Sequence, residues 1–287
     1  MIRGAEMPDR ITVALAMASA AFVSVPAGLI PQDAKAQTVR RRVGGRVPVA
    51  VRELVPYWEV VFGPQFADGR LRGFAGAGVT VQQPLGPQTV WGVHAQGGIS
   101  YGENRFDQVD HEATLQGVLF ARNPMVGEIG LFAGLTNFSD QFRDTTTTFG
   151  VEGEYYVTDR VTLGGAVGVQ SDNESHWVAQ GGVSVYPTDN FKLTASALFE
   201  QHGAVGAAIG AEYRPVGGFF YIPGSDTNLF AKATFTEDVT AIRGGLRISW
   251  GGNGSSLLQA DRYQRKNFYG SIFGSEGISP LDNLPFK

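Results

Sequence analysis

The chain has 287 residues, 17% of them charged, with a net charge of −4, 39 glycines and no cysteine. Disulfide and thiol chemistry are thereby excluded, and no basic excess marks a nucleic-acid binder. At 43% hydrophobic residues the chain is too apolar for a disordered protein and long enough for one large domain.

In chain order, Arg10 precedes an apolar run over residues 11–25, Pro26 breaks it, and Ala34 and Ala36 offer small residues two apart ahead of Gln37. This is the layout of a cleaved signal peptide over residues 1–36, and its apolar run falls short of the ~20 residues a helix needs to span a bilayer. Residues 37–56 carry Arg40, Arg41, Arg42, Arg46 and Arg52 against Glu53, show no alternation, and read as a basic periplasmic leader.

From residue 57 to residue 250 the pattern has a period of two, which separates the faces of a strand. Apolar or small side chains occupy the odd positions of 71–81, 91–101, 113–121, 129–135, 149–155, 161–169, 177–185, 191–199, 205–213 and 229–235, and the even positions of 242–250. In residues 191–199, for example, Phe191, Leu193, Ala195, Ala197 and Phe199 share one face, while Lys192, Thr194 and Ser196 share the other. With the weaker run over 57–62, the series predicts about twelve antiparallel strands, ten being the alternative, because an even count leaves both termini in the periplasm. A soluble barrel turns its apolar residues inward. Here the opposite face carries Gly, Gln, Thr, Ser, Glu, Arg and Lys, whereas Trp91, Tyr101, Tyr155, Trp177, Phe191, Phe199, Tyr213, Phe235 and Trp250 mark strand ends as an aromatic girdle would. The expectation is an all-β, membrane-spanning, up-and-down barrel over 57–250.

Compact turns at 83–88, 123–124, 157–160 and 187–190 belong to the periplasmic end, and the longer connections 102–111 and 139–146 to the outside. Residues 215–227 are a long exception on the periplasmic side. Tyr-x-Thr-Asp occurs at Tyr156 and again at Tyr186, one hairpin apart, so the hairpin is the repeating unit.

At the last strand, Arg243-Gly244-Gly245-Leu246-Arg247-Ile248-Ser249-Trp250 resembles the β-signal of Gram-negative outer-membrane proteins, with Arg243, Gly245, Ile248 and Trp250 in its polar, small, hydrophobic and aromatic positions. The resemblance covers roughly residues 57–250 and is to the broad porin-like class. It implies the outer membrane as location, with the barrel-assembly machinery, outer-membrane lipid and lipopolysaccharide as partners, and no cofactor, metal or nucleic acid. Such a signal usually ends the chain, but residues 251–287 follow: a Gly/Ser linker, then 257–266, which suit a short amphipathic helix. They form either a loose periplasmic tail or a segment docked in the lumen or on a periplasmic partner. The outer-loop acids Asp68, Glu103, Asp107, Asp110, Asp140, Asp144, Asp172, Glu174, Glu237 and Asp238 suit simple solvation or divalent bridging to lipopolysaccharide.

Extending the register inward gives an acidic lumen wall of Glu112, Glu128, Glu152 and Glu154 and a basic wall of Arg72, Lys232, Arg243 and Arg247. A field between such walls orients and selects ions, which predicts a porin-like channel for small polar solutes or ions. Two alternatives remain. The same charges could pair across the lumen and close a structural, envelope-anchoring barrel, or the barrel could be a lipid-modifying enzyme. The enzyme reading has little to stand on: the chain has four histidines, no Gly-x-Ser-x-Gly elbow and no phosphate loop, and its least implausible constellation is Ser175 and His176 with Glu174. The expectation is no enzyme.

Overall fold

The computed structural model describes residues 55–67, 70–85, 91–103, 109–138, 145–171, 175–201, 205–215, 225–236, 240–251 and 256–263. Residues 1–36, expected to be a signal peptide, nearly all of the expected leader 37–56, and Asp68, Asp107, Asp140, Asp144, Asp172, Glu174, Glu237 and Asp238 lie outside the described residues.

The strands are β1 (Val55–Ala67), β2 (Arg70–Pro84), β3 (Trp91–Glu103), β4 (Val109–Asn123), β5 (Gly127–Phe138), β6 (Thr146–Thr158), β7 (Val161–Ser171), β8 (Ser175–Thr188), β9 (Phe191–Glu200), β10 (Val205–Tyr213), β11 (Ser225–Thr236) and β12 (Thr240–Trp250), followed by helix α1 (Leu257–Tyr263). Each strand pairs with its sequence neighbours, and β1 closes on β12 in antiparallel register from Trp58↔Trp250 to Ala67↔Ala241. The result is a closed twelve-stranded up-and-down barrel. Closure satisfies every strand's backbone groups within the sheet, which is the condition for crossing a bilayer without helices. No helix among the described residues is long and apolar enough to cross a membrane.

The weak run over 57–62 belongs to a full strand, Val55–Ala67, whose exposed positions Phe62, Pro64 and Phe66 continue the alternation through Gly63. Gly63 and Pro64 sit at the closing seam. A Cβ on Gly63 would overlap the Gly244 carbonyl oxygen, and one on Gly245 would overlap that of Phe62, so the backbones approach closely here and only glycine fits. The ends of β2, β4, β6, β8 and β10 that lead into the connections at 85–90, 124–126, 159–160, 189–190 and 214–224 share one end of the barrel with Val55 and Trp250, here called the turn end. The opposite end is the loop end. The connections 102–111 and 139–146 shorten, because β3 reaches Glu103, β4 begins at Val109 and β6 begins at Thr146.

Burial is inverted relative to a soluble barrel. Leu71 is 73% exposed and Leu115 60%, while Lys192 and Arg247 inside are only 2% exposed. An apolar exterior around a charged interior is favourable only where an apolar medium surrounds the strands. Trp91, Tyr155, Phe191, Tyr213 and Trp250 stand near the turn end and Trp177, Phe199 and Phe235 near the loop end. The Phe191 and Tyr213 rings meet edge-on at 6.5 Å, and the side chain of Tyr101 lies outside the described set.

Candidate functional site: the lumen and its turn-end mouth

Alternation sends every second side chain of each strand into the lumen, so the interior follows from the register. On β5 and β6, Glu128 and Glu154 are direct cross-strand partners, and Glu152 lies one inward step away opposite Gly130. Arg122 at the end of β4 faces Glu128 and donates its Nε–H to Glu128 Oε2. Both side chains of this pair are buried.

Further round the wall, Lys192 Nζ lies 3.5 Å from Glu212 Oε2 and 3.0 Å from Asp261 Oδ2. Glu212 Oε1 accepts from Asn228 Nδ2 at 2.6 Å and from Arg247 Nη1 at 3.1 Å. Arg214 Nε donates to Asn228 Oδ1 at 2.9 Å, and its Nη1 is 3.3 Å from Asp226 Oδ2. Arg247 Nε is 3.6 Å from Glu59 Oε2 on β1. The turn-end half of this wall is therefore a belt of alternating sign, linked strand to strand. Burying such charges costs several kcal/mol per ion unless each is paired and hydrogen-bonded, and the belt supplies those partners.

The residues expected to form two walls divide by height. Glu128, Glu152 and Glu154 come together at the turn end, with Arg122 set among them. Glu112 lies near the opposite end of β4, facing Phe138, and its side chain is outside the described set. Lys232 and Arg243 are direct partners on β11 and β12. Arg243 Nε donates to Gln65 Oε1 at 2.7 Å, and Gln65 pairs in register with Arg72. Arg247 stands apart from them, in the belt with Glu212 and Glu59. Reading the walls from sequence missed Arg122, Glu212, Arg214, Asp226, Asn228 and Glu59, and placed Lys192 on the lumen face without joining it to either wall. For Arg122 and Glu212 the signal is present in the inward register.

Between the charged zones the lumen carries aromatic rings. A Cβ on Gly150 or Gly168 would meet the tip of the Phe132 ring, and one on Gly92 that of the Phe120 ring, so each ring reaches over neighbouring strands where side chains are absent. Val118, Ala166 and Val178 complete that cluster, and Phe74 meets Phe230 edge-on at 6.0 Å.

At the turn-end mouth the chain returns as α1. Leu258 N donates to the Asp189 carbonyl at 2.9 Å and Leu257 N to Asn190 Oδ1 at 3.3 Å, so the β8–β9 turn satisfies the first amides of the helix. Tyr186 Oη donates to Asp261 Oδ2 at 2.6 Å, and Lys192 Nζ donates to the same oxygen. Arg262 Nη2 donates to the Thr158 carbonyl at 2.7 Å, its guanidinium 4.3 Å from the centre of the Tyr156 ring. Leu257 and Ala260 are buried. Part of the C-terminal tail is thus seated against the lumen wall.

Near the loop end, His176 Nε2 lies 2.7 Å from Glu200 Oε1. Ser175 points to the other face of β8, its Oγ 3.1 Å from Ser171 Oγ, so strand alternation separates Ser175 from the His176 imidazole. Among the described residues no cluster of His, Asp and Glu could hold a metal ion.

No family model matches the chain, and no curated protein matches it. Among solved structures it is similar to a KdgM porin in complex with disordered oligogalacturonate, at 8% identity and a TM-score of 0.48, over 66% of this chain and 97% of that one. It is also similar to an outer membrane channel from Pseudomonas putida F1, at 12% identity and 0.46, over 72% and 98%. The translocator domain of autotransporter NalP from Neisseria meningitidis gives 12% identity and 0.43, over 84% and 97%.

Proposed function

We propose that the protein is an outer-membrane channel that passes small polar solutes or ions through a charged lumen, without catalysis or a cofactor. One observation carries this reading: charged side chains of both signs line the lumen of a closed twelve-stranded barrel and are held on its wall by their neighbours. Twelve strands spaced ~4.8 Å and tilted ~40° enclose about 24 Å between opposite backbones, whereas eight strands leave room for little more than side chains. A polar wall around such a bore suits hydrated solutes. The girdle at both ends and the β-signal-like last strand support the outer membrane as the location, with lipopolysaccharide and the assembly machinery as partners.

A closed structural barrel is the second reading, favoured by α1 at the mouth and by the rings inside. Planar-bilayer recording of the purified full-length protein and of a variant lacking residues 251–287 separates the two. Reproducible steps in either support the channel; their absence in both supports the structural barrel.

A further inference from the structure

The repeated Tyr-x-Thr-Asp motif builds the seat for α1. Tyr156 carries Arg262 on its ring, the Thr158 carbonyl accepts from Arg262, Tyr186 binds Asp261 through its hydroxyl, and the Asp189 carbonyl accepts from the Leu258 amide. Two copies of one hairpin-end motif thus read two consecutive side chains of the helix, an acid and a base. Arg160 joins the copies: its guanidinium donates to the Tyr186 carbonyl at 3.1 Å, the Pro187 carbonyl at 3.2 Å and Asp189 Oδ1 at 2.9 Å. The seat belongs to the wall, not to the tail.

We propose that α1 is a removable plug of the lumen, latched by Asp261 on Lys192 and Tyr186, and that its release sets how far the channel opens. The proposal rests on the channel reading and adds its regulation. Position supports it: at the turn-end mouth Asp261 and Arg262 engage Tyr186, Lys192 and Thr158, and Leu257 and Ala260 are buried. Reversibility is supported by the belt, because Lys192 keeps Glu212 at 3.5 Å and Arg247 when Asp261 departs stays bonded to Glu212. Losing the plug therefore strands no wall charge. The tether, 251–256, reads Gly-Gly-Asn-Gly-Ser-Ser, a composition of high chain freedom.

The test uses the full chain, which contains no cysteine. Leu258→Cys with Asp189→Cys places one engineered disulfide where the two backbones already bond. The oxidised protein is expected to stay at low conductance, and adding reductant under the same voltage to raise it by about twofold or more. Asp261→Asn should open the channel more often without a reductant and expose Arg262, now buried, to faster trypsin cleavage. If deleting residues 251–287, reducing the disulfide and Asp261→Asn all leave a measurable conductance unchanged, the plug is overturned while the channel stands. If no variant conducts, both fall. Unchanged cleavage at Arg262 in Asp261→Asn also overturns the latch, independently of current.

Discussion

Arg122 and Glu128 show what a single lumen side chain is worth. Both are buried, and the guanidinium also lies 4.9 Å from the Phe120 ring. Arg122→Met removes the bonded guanidinium but leaves the carboxylate buried, and breaking a buried pair from one side costs about 3–5 kcal/mol. Arg122→Met with Glu128→Leu removes both charges and should recover most of that loss. Urea unfolding in lipid vesicles checks it: equal destabilisation of the single and double variants would show that water, not the pair, solvates these groups. This pair was only half legible in the sequence. Glu128 falls in the inward register and was assigned to the lumen, but the connection of Arg122 to it across the β4–β5 turn needs the cross-strand pairing of Asn123 with Gly127. Asp261 and Tyr186, 75 residues apart, could not be joined from the chain at all.

At the scale of the strand, legibility follows burial contrast. Strand β9 was plain because its outward face meets lipid along its whole length and its inward face carries Lys192, Thr194 and Ser196. Strand β1 is faint because the inward Val61 is apolar like the outward Val60 and Phe62, and Gly63 and Pro64, at the seam, add little contrast. Gly245→Val, whose Cβ would overlap the Phe62 carbonyl oxygen, should abolish closure, seen as loss of the heat-modifiable compact band on electrophoresis, whereas Gly73→Val, whose Cβ meets nothing within 4 Å, should keep it. A normal band for Gly245→Val would mean the seam relaxes at little cost. The lipid face gives a graded test. Val167 lies mid-strand and outward on β7, and Val161 begins the same strand. Arginine at the first should cost ~2–4 kcal/mol and at the second ~0–1, since the penalty for a charge falls toward the interface. Equal costs in urea unfolding would place the bilayer midplane away from Val167.

For the whole molecule, the placement of the lumen's charges along the bore sets its selectivity. In the turn-end belt each cation has an anion on a neighbouring strand, as Arg247 has Glu59 and Arg214 has Asp226. Such dipoles cancel over a distance short against the ~8 Å screening length of physiological salt. Lys232 and Arg243 are direct register partners across β11 and β12, with Arg72 in register beyond Gln65. Basic side chains set side by side on the wall of a bore favour anions there. Lys232→Gln with Arg243→Gln should shift the reversal potential in a potassium chloride gradient toward cation preference. Arg122→Gln with Glu128→Gln, which removes one charge of each sign, should leave the reversal potential unmoved. Measured without residues 251–287, so that α1 does not mask the wall, equal shifts from the two double variants would locate selectivity at the mouth instead.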